Sequence, residues 1–248
     1  MSGHSKWASI KHKKAALDAK RGKVFSKLVK EIIVAARNGG ANPETNSQLR
    51  AAIDSAKAAN MPSANIEKAV KRGSGELEGV HYEEVTYDAY GPGGAAILVQ
   101  ILTDNKNRTA SEMRSIFSKK GGSIAGVGAV SWIFHKKGVV RIARHKADED
   151  ELFLLATEAG AEDFRTESDA YELVFSPEDF EKAKQQLQTK GIELDMASVT
   201  FVPKNTVRVE GKEAQQLLGL VEELEEHDDV QNVYSNFDIP DEILAQSA

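Results

Sequence analysis

The apolar pattern of this 248-residue chain changes its period near residue 80, so one fold class cannot account for the whole of it. Before that point the repeat is helical. Val24, Phe25, Leu28, Val29, Ile32, Ile33 and Ala36 recur at the 3.6-residue period and predict a helix from Lys23 to the stop at Asn38-Gly39-Gly40. Leu49, Ala52, Ile53 and Ala56 predict a second helix that closes near Asn60-Met61-Pro62. Ser63 is the expected N-cap of a third, which carries Ile66, Ala69 and Val70 and ends at Gly73. Gly73-Ser74-Gly75 and Gly79 read as a linker.

Beyond residue 80, strand and helix patterns alternate. Val85–Tyr90 predicts a strand, Gly91-Pro92-Gly93-Gly94 a tight turn, and Ala95–Leu102 a fully apolar, buried strand. Residues 107–119 predict a helix with Met113, Ile116 and Phe117 inward. A glycine-rich loop over Gly121–Gly128 and a strand over Ala129–Phe134 follow. Residues 138–202 then read as βαββαβ: strand Val139–Ile142, helix Asp148–Ala159, strands Ala161–Thr166 and Tyr171–Phe175, a helix opening at Ser176-Pro177-Glu178-Asp179, and a strand over Leu194–Phe201. Thr206–Val209, Lys212–Glu226 and Val230–Phe237 form a βαβ piece that cannot close a two-layer core alone.

The expected fold class is therefore α+β in three domains. A three-helix N-terminal domain precedes two α/β-sandwich-like domains, one of them ferredoxin-like. The expected boundaries are a basic arm at 1–22, the helical domain at 23–79, a discontinuous α+β domain at 80–135 plus 204–240, an inserted ferredoxin-like domain at 136–203, and a tail at 241–248.

Charge is as unevenly distributed as the apolar pattern. Up to Gly75 there are 15 Lys and Arg against 5 Asp and Glu, a balance of +10, whereas the rest of the chain carries −16. A basic leading segment on an acidic body is the footprint of a protein that meets polyphosphate. No apolar run reaches a membrane span, and Ser2–Lys14 lacks the apolar core of a secretory signal. The absence of cysteine removes disulfides, thiol catalysis and Cys-type zinc sites, which points to the cytoplasm.

Within the basic segment, Lys6, Lys11, Lys13, Lys14, Lys20, Arg21, Lys23, Lys27 and Lys30 are opposed only by Asp18. On a helix, Lys20, Lys23, Lys27 and Lys30 share a face nearly opposite the apolar stripe. Their mutual repulsion would be relieved by a counter-surface of phosphates, or simply by water on a solvated face. Trp7 beside His4 and Lys6 is placed either to stack on a base or to anchor the arm. His4 and His12 lack metal-ligand spacing, so no metal is expected. Lys106 and Arg108, in Asp104-Asn105-Lys106-Asn107-Arg108, lie after a buried strand and before a helix. They are candidates for a second phosphate contact, with Asp104 or Asn105 as an alternative helix cap. Residues 121–128 match neither a phosphate-binding loop nor a dinucleotide fingerprint, and no nucleophile elbow, metal motif or kinase motif is present. The carboxylates at 222–229 read as a solvated acidic face.

The motifs Gly3-His4-Ser5-Lys6-Trp7, Ile10–Lys14 and Arg21–Phe25 resemble the YebC family, as do Ala59–Pro62, Tyr90–Gly94, Thr103–Arg108 and Gly121–Gly126. The likeness extends over essentially the whole chain. The resemblance implies three domains, no enzymatic activity and no cofactor. It implies two roles: DNA-binding transcriptional regulation, and action in translation, by similarity to the mitochondrial translational activator of cytochrome oxidase and to bacterial relatives linked to ribosomes stalled on proline-rich stretches. The residues do not separate DNA from ribosomal RNA, because lysine reads phosphate in either polymer.

The function expected is that of a cytoplasmic, non-enzymatic, nucleic-acid-binding regulator of gene expression, a DNA-binding transcriptional regulator. A ribosome-associated translation factor is the alternative and a protein–protein adaptor the further one. No membrane or small-molecule substrate is expected. A helix-turn-helix with base-reading side chains is not legible, which weighs toward structured RNA or a ribosomal site.

Overall fold

The computed structural model describes residues 21–246. Three helices come first: α1 (Arg21–Gly39), α2 (Ser47–Ala58) and α3 (Ser63–Ser74). Their facing sides bury Ile32, Ile33, Ala36, Leu49, Ala52, Ala56, Ile66 and Ala69 in one core. Val24, expected on the same stripe, is instead 41% exposed in the first turns of α1. Asn46 knits the bundle together. Its Oδ1 accepts the Leu49 N–H as the cap of α2, while its Nδ2 donates to Ala35 O and Gly40 O, both at 2.8 Å. Gly73 allows α3 to press on α1, since a Cβ there would come within 2.6 Å of the Ala36 methyl. Ser63 is not the cap of α3. Pro62 holds that position and Ser63 is the first helical residue.

A four-stranded antiparallel sheet of order β3-β1-β2-β9 follows. It is built from β1 (Glu83–Tyr90), β2 (Ala96–Thr103), β3 (Ser123–Ile124) and β9 (Val230–Ser235). Helices α4 (Lys106–Lys119) and α7 (Gly211–Glu226) share its core, where Ile97, Val99, Met113, Phe117, Leu217, Leu220 and Leu224 are buried. The short β3 lies inside the stretch expected to be only loop, and extends the sheet by pairing Ile124 with Ala89. The loop after β3 is pinned by the buried Asp88 carboxylate, which accepts the N–H groups of Val130 and Ser131 at 2.9 and 3.1 Å. Near the end of the chain β8 (Val207–Arg208) pairs in parallel with β10 (Phe237–Asp238), and α8 (Asp241–Gln246) closes the described residues.

Residues Trp132–Thr206 form a compact unit of their own. Its elements are β4 (Phe134–Ala143), α5 (Glu149–Glu158), β5 (Asp163–Thr166), β6 (Ala170–Phe175), α6 (Phe180–Thr189) and β7 (Met196–Pro203). The antiparallel order β5-β6-β4-β7 is the ferredoxin-like arrangement. Its core holds Val140, Ile142, Leu152, Tyr171, Leu173, Phe175 and Phe180. The strands expected at Ala129–Phe134 and Val139–Ile142 are corrected here. Ser131–Ile133 is a 3-10 turn, and one strand runs from Phe134 through Lys136 and Lys137 to Ala143, held by continuous pairing with β7. The expected helix start at Ser176 also moves. Ser176 Oγ accepts the Asp179 N–H at 3.1 Å within a turn, and the regular helix begins at Phe180.

Candidate nucleic-acid interface

Three of the expected phosphate-binding lysines lie on α1 with their amino groups directed at the C-terminal end of α7. Lys23 Nζ donates to Glu226 O at 3.1 Å, and Lys27 Nζ to Glu225 O at 2.7 Å. Lys30 Nζ donates to Asp228 O at 3.0 Å and to Asp229 Oδ1 at 2.8 Å. A helix leaves its last carbonyls without intrahelical partners, and their partial negative charge favours nearby cations. The last turn of α7 has no basic residue of its own, and His227 continues it in extended backbone with no left-handed glycine. Lysines from α1 supply what the local sequence omits.

Asp229 is the centre of this contact. It is buried, and its Oδ2 accepts hydrogen bonds from Arg108 Nη2 at 2.7 Å and Thr109 Oγ1 at 2.9 Å, while Oδ1 faces Lys30. Thr103 Oγ1 lies 3.2 Å from the same Oδ2 and 2.7 Å from Thr109 Oγ1. Burial pushes the Asp229 carboxyl up, but the bonds from Lys30, Arg108 and Thr109 outweigh it and hold the group well below the usual carboxylate range. The expectation of a uniformly solvated acidic face over 222–229 is therefore corrected at Asp229, which is an internal anchor. Lys30 also lies 5.4 Å from the centre of the Tyr82 ring.

The second expected phosphate site is occupied in the same manner. Asn105 is the cap of α4, its Oδ1 accepting the Arg108 N–H at 3.0 Å. Lys106 pairs with Glu83 at 2.5 Å, and Arg108 bridges Asp104 and Asp229. Lys23, Lys27, Lys30 and Arg108 are thus gathered at one end of α7, and Lys106 has a separate partner. His4, Lys6, Trp7, Lys11, Lys13, Lys14 and Lys20 lie outside the described residues, as does the Arg21 side chain.

Glu112, His227 and Asp229 bring three metal-capable groups within 4.8 Å of one another. Each of the three already has a hydrogen-bonding partner. His227 Nδ1 accepts the Asp229 N–H at 3.1 Å, which places the ring proton of the neutral imidazole on Nε2, 3.0 Å from Glu112 Oε2. With Lys30 and Arg108 on the Asp229 oxygens, a divalent cation would have to enter beside two cationic side chains. The donor set fits a hydrogen-bonded network and not a metal.

Sequence reasoning missed Asp229, Thr103, Thr109, Glu112 and His227. The available signal was the contrast within 222–229. Asp229 immediately precedes the apolar strand beginning at Val230, and a carboxylate at the threshold of a buried strand is placed to be buried itself.

Two family models match the chain. "TACO1/YebC protein N-terminal domain" matches residues 5–76, and "TACO1/YebC second and third domain" matches 82–237. Neither describes an enzyme. A probable transcriptional regulatory protein of Dictyoglomus thermophilum is 60% identical over 245 residues, 98% of each chain. One from Thermotoga maritima is 55% identical over 247 residues, 99% of this chain and 97% of that protein. The crystal structure of a conserved hypothetical protein from Aquifex aeolicus is similar with a TM-score of 0.82 at 47% identity, covering 93% of this chain and 95% of that one. No described helix is long and apolar enough to cross a membrane.

Proposed function

The chain belongs to the TACO1/YebC family, and on that premise we propose that it is a nucleic-acid-binding regulator of gene expression, acting on DNA as a transcriptional regulator through its Lys-rich leading segment. The observation that carries the proposal is the segregation of charge: +10 over the first 75 residues on a body of −16. Such a division attracts a phosphodiester backbone to one end of the molecule and repels it from the rest. The names of its relatives, probable transcriptional regulatory proteins, support the same reading.

In this account His4, Lys6, Trp7, Lys11, Lys13, Lys14, Lys20 and Arg21 make the first contacts. Lys23, Lys27 and Lys30 extend them along α1, and Lys106 and Arg108 stand at the N-terminal end of α4. These are phosphate contacts, which fix position and add affinity without reading bases. No cofactor or catalytic step is required, and a protein without cysteine suits the reducing cytoplasm.

The test is a binding titration against a labelled DNA duplex at several salt concentrations. If about 5 phosphates are neutralised, log K falls with log salt at a slope of about −4.5. The combined variant Lys11→Glu, Lys13→Glu, Lys14→Glu should flatten that slope by about 3 and weaken binding on every duplex alike. An unchanged slope in the variant contradicts the proposal.

A further inference from the structure

The α1 lysines that the proposed function offers to phosphate are engaged, in this structure, by the protein itself. From Lys23 to Lys30 the row covers about 10 Å of helix axis, at 1.5 Å per residue. That length matches roughly three successive phosphate-to-phosphate steps of one DNA strand, at 3.4 Å of axial rise each. What faces the row is a set of oxygens at 2.7–3.1 Å: the carbonyls of Glu225, Glu226 and Asp228 and one carboxylate oxygen of Asp229. The end of α7 therefore presents to α1 the same chemistry that a nucleic-acid backbone would, oxygen acceptors in a field of negative charge.

We propose that the C-terminal end of α7 is an internal competitor for the nucleic-acid backbone, so that α1 is latched onto it in the free protein and released when phosphates take the lysines. This inference rests on the nucleic-acid reading above and adds its regulation.

Three features make the contact a switch between alternatives. First, the two occupants exclude each other. Glu226, Asp228 and Asp229 line the same hollow as Lys23 and Lys30, and a phosphate strand entering beside them would meet like charge at close range. Second, the exchange favours phosphate once it is at hand. Three of the four acceptors are neutral carbonyls, and a bond from an ammonium to an anionic oxygen is the stronger kind. Third, opening leaves no buried charge alone. When Lys30 departs, Asp229 keeps Arg108 and Thr109, both from α4, which belongs to the same sheet-and-helix layer as α7. The carbonyls freed at the end of α7 can be hydrated. Asp229 is the pivot, because it holds the latch through one oxygen and its own domain through the other.

The absence of native cysteine allows a direct test in the full chain. Spin labels are placed at Ser55→Cys on α2 and Ser118→Cys on α4, both at exposed positions, and their separation is measured by pulsed electron resonance with and without a 30-base-pair DNA duplex. The latch predicts one short distance in the free protein and a second, longer population that grows with added duplex. It further predicts that Asp229→Asn, which weakens the hold on Lys30 while retaining an acceptor, populates the longer distance without DNA and tightens DNA binding about 3- to 10-fold. Salt-dependent DNA binding with the label distance unmoved overturns the latch and leaves the functional reading standing. No DNA binding by either protein overturns the functional reading and the latch with it. The ligand-dependent shift is read in the Asp229 background, so the test survives should Asp229→Asn fold poorly.

Discussion

Lys30 Nζ lies 2.8 Å from Asp229 Oδ1, joining the first described helix to a residue 199 positions later that immediately precedes the last strand of the central sheet. The pair is well buried, with side-chain exposures of 13% and 6%. Arg108, on the opposite oxygen, is 43% exposed. One carboxylate thus ties α1, α4 and the segment after α7 together, and its neutralisation should be felt by all three.

Replacing Asp229 with Asn keeps the size and loses the charge. The expected cost is about 2 kcal/mol, below the figure for a fully buried pair because Arg108 remains partly in water. Urea unfolding monitored by far-ultraviolet circular dichroism should show a lower midpoint. A midpoint matching that of the parent protein would mean that the network contributes nothing net.

The same carboxylate makes a specific contribution to acid sensitivity. Its pKa in the folded protein lies below the ordinary 3.8, so its stabilisation is complete above that value and is lost as pH falls through and below it. The stability difference between the parent protein and Asp229→Asn should therefore be full at pH 7 and should shrink below about pH 4. A difference that grows on acidification would show the sign of the linkage to be wrong.

Asn46 is expected to matter more than its location in a connection suggests. It is 5% exposed and satisfies three backbone groups at once. Asn46→Ala removes a helix cap and takes a donor from the buried Ala35 carbonyl and the more exposed one of Gly40, at a cost of about 2 kcal/mol to the helical domain. Hydrogen exchange of amides in α1 and α2 should accelerate, while exchange in β4, β6 and β7 stays as it was.

Gly138 gives the complementary prediction for the ferredoxin-like unit. A Cβ there would run into the Phe180 ring, which packs over the strand and cannot swing aside without leaving the core. Gly138→Ala should destabilise this unit by about 2 kcal/mol through overpacking. Proteolysis under native conditions should then cut first between residues 132 and 206, and an unaltered cleavage pattern would show that Phe180 has room to yield.

How far the sequence carried the fold depended on the range of each signal. The apolar spacing of Ile32, Ile33 and Ala36, or of Met113, Ile116 and Phe117, is local, and the helices it predicts are present with those residues buried. The ferredoxin-like order was legible for the same reason: each element announces itself within about ten residues. Boundaries suffered where charge interrupts a strand. Lys136 and Lys137 make one strand look like two, because the pairing with Phe201 and Thr200 that carries the strand through them lies far along the chain. The candidate site was the least legible part. Lysines at 23, 27 and 30 look identical whether they face a phosphate or a carbonyl, and their acceptors in this structure lie some 200 residues away. Asp229 stands last in a run of carboxylates, and only its place directly before the apolar strand at Val230 sets it apart as the buried one.

The account depends on the leading basic segment being a docking surface for phosphodiester strands. Crosslinking in living cells, followed by sequencing of both the DNA and the RNA recovered with the protein, tests this most directly when the parent chain is compared with the Lys11→Glu, Lys13→Glu, Lys14→Glu variant. The account predicts DNA recovered with the parent and lost with the variant. Equal recovery of nucleic acid by both proteins would contradict it.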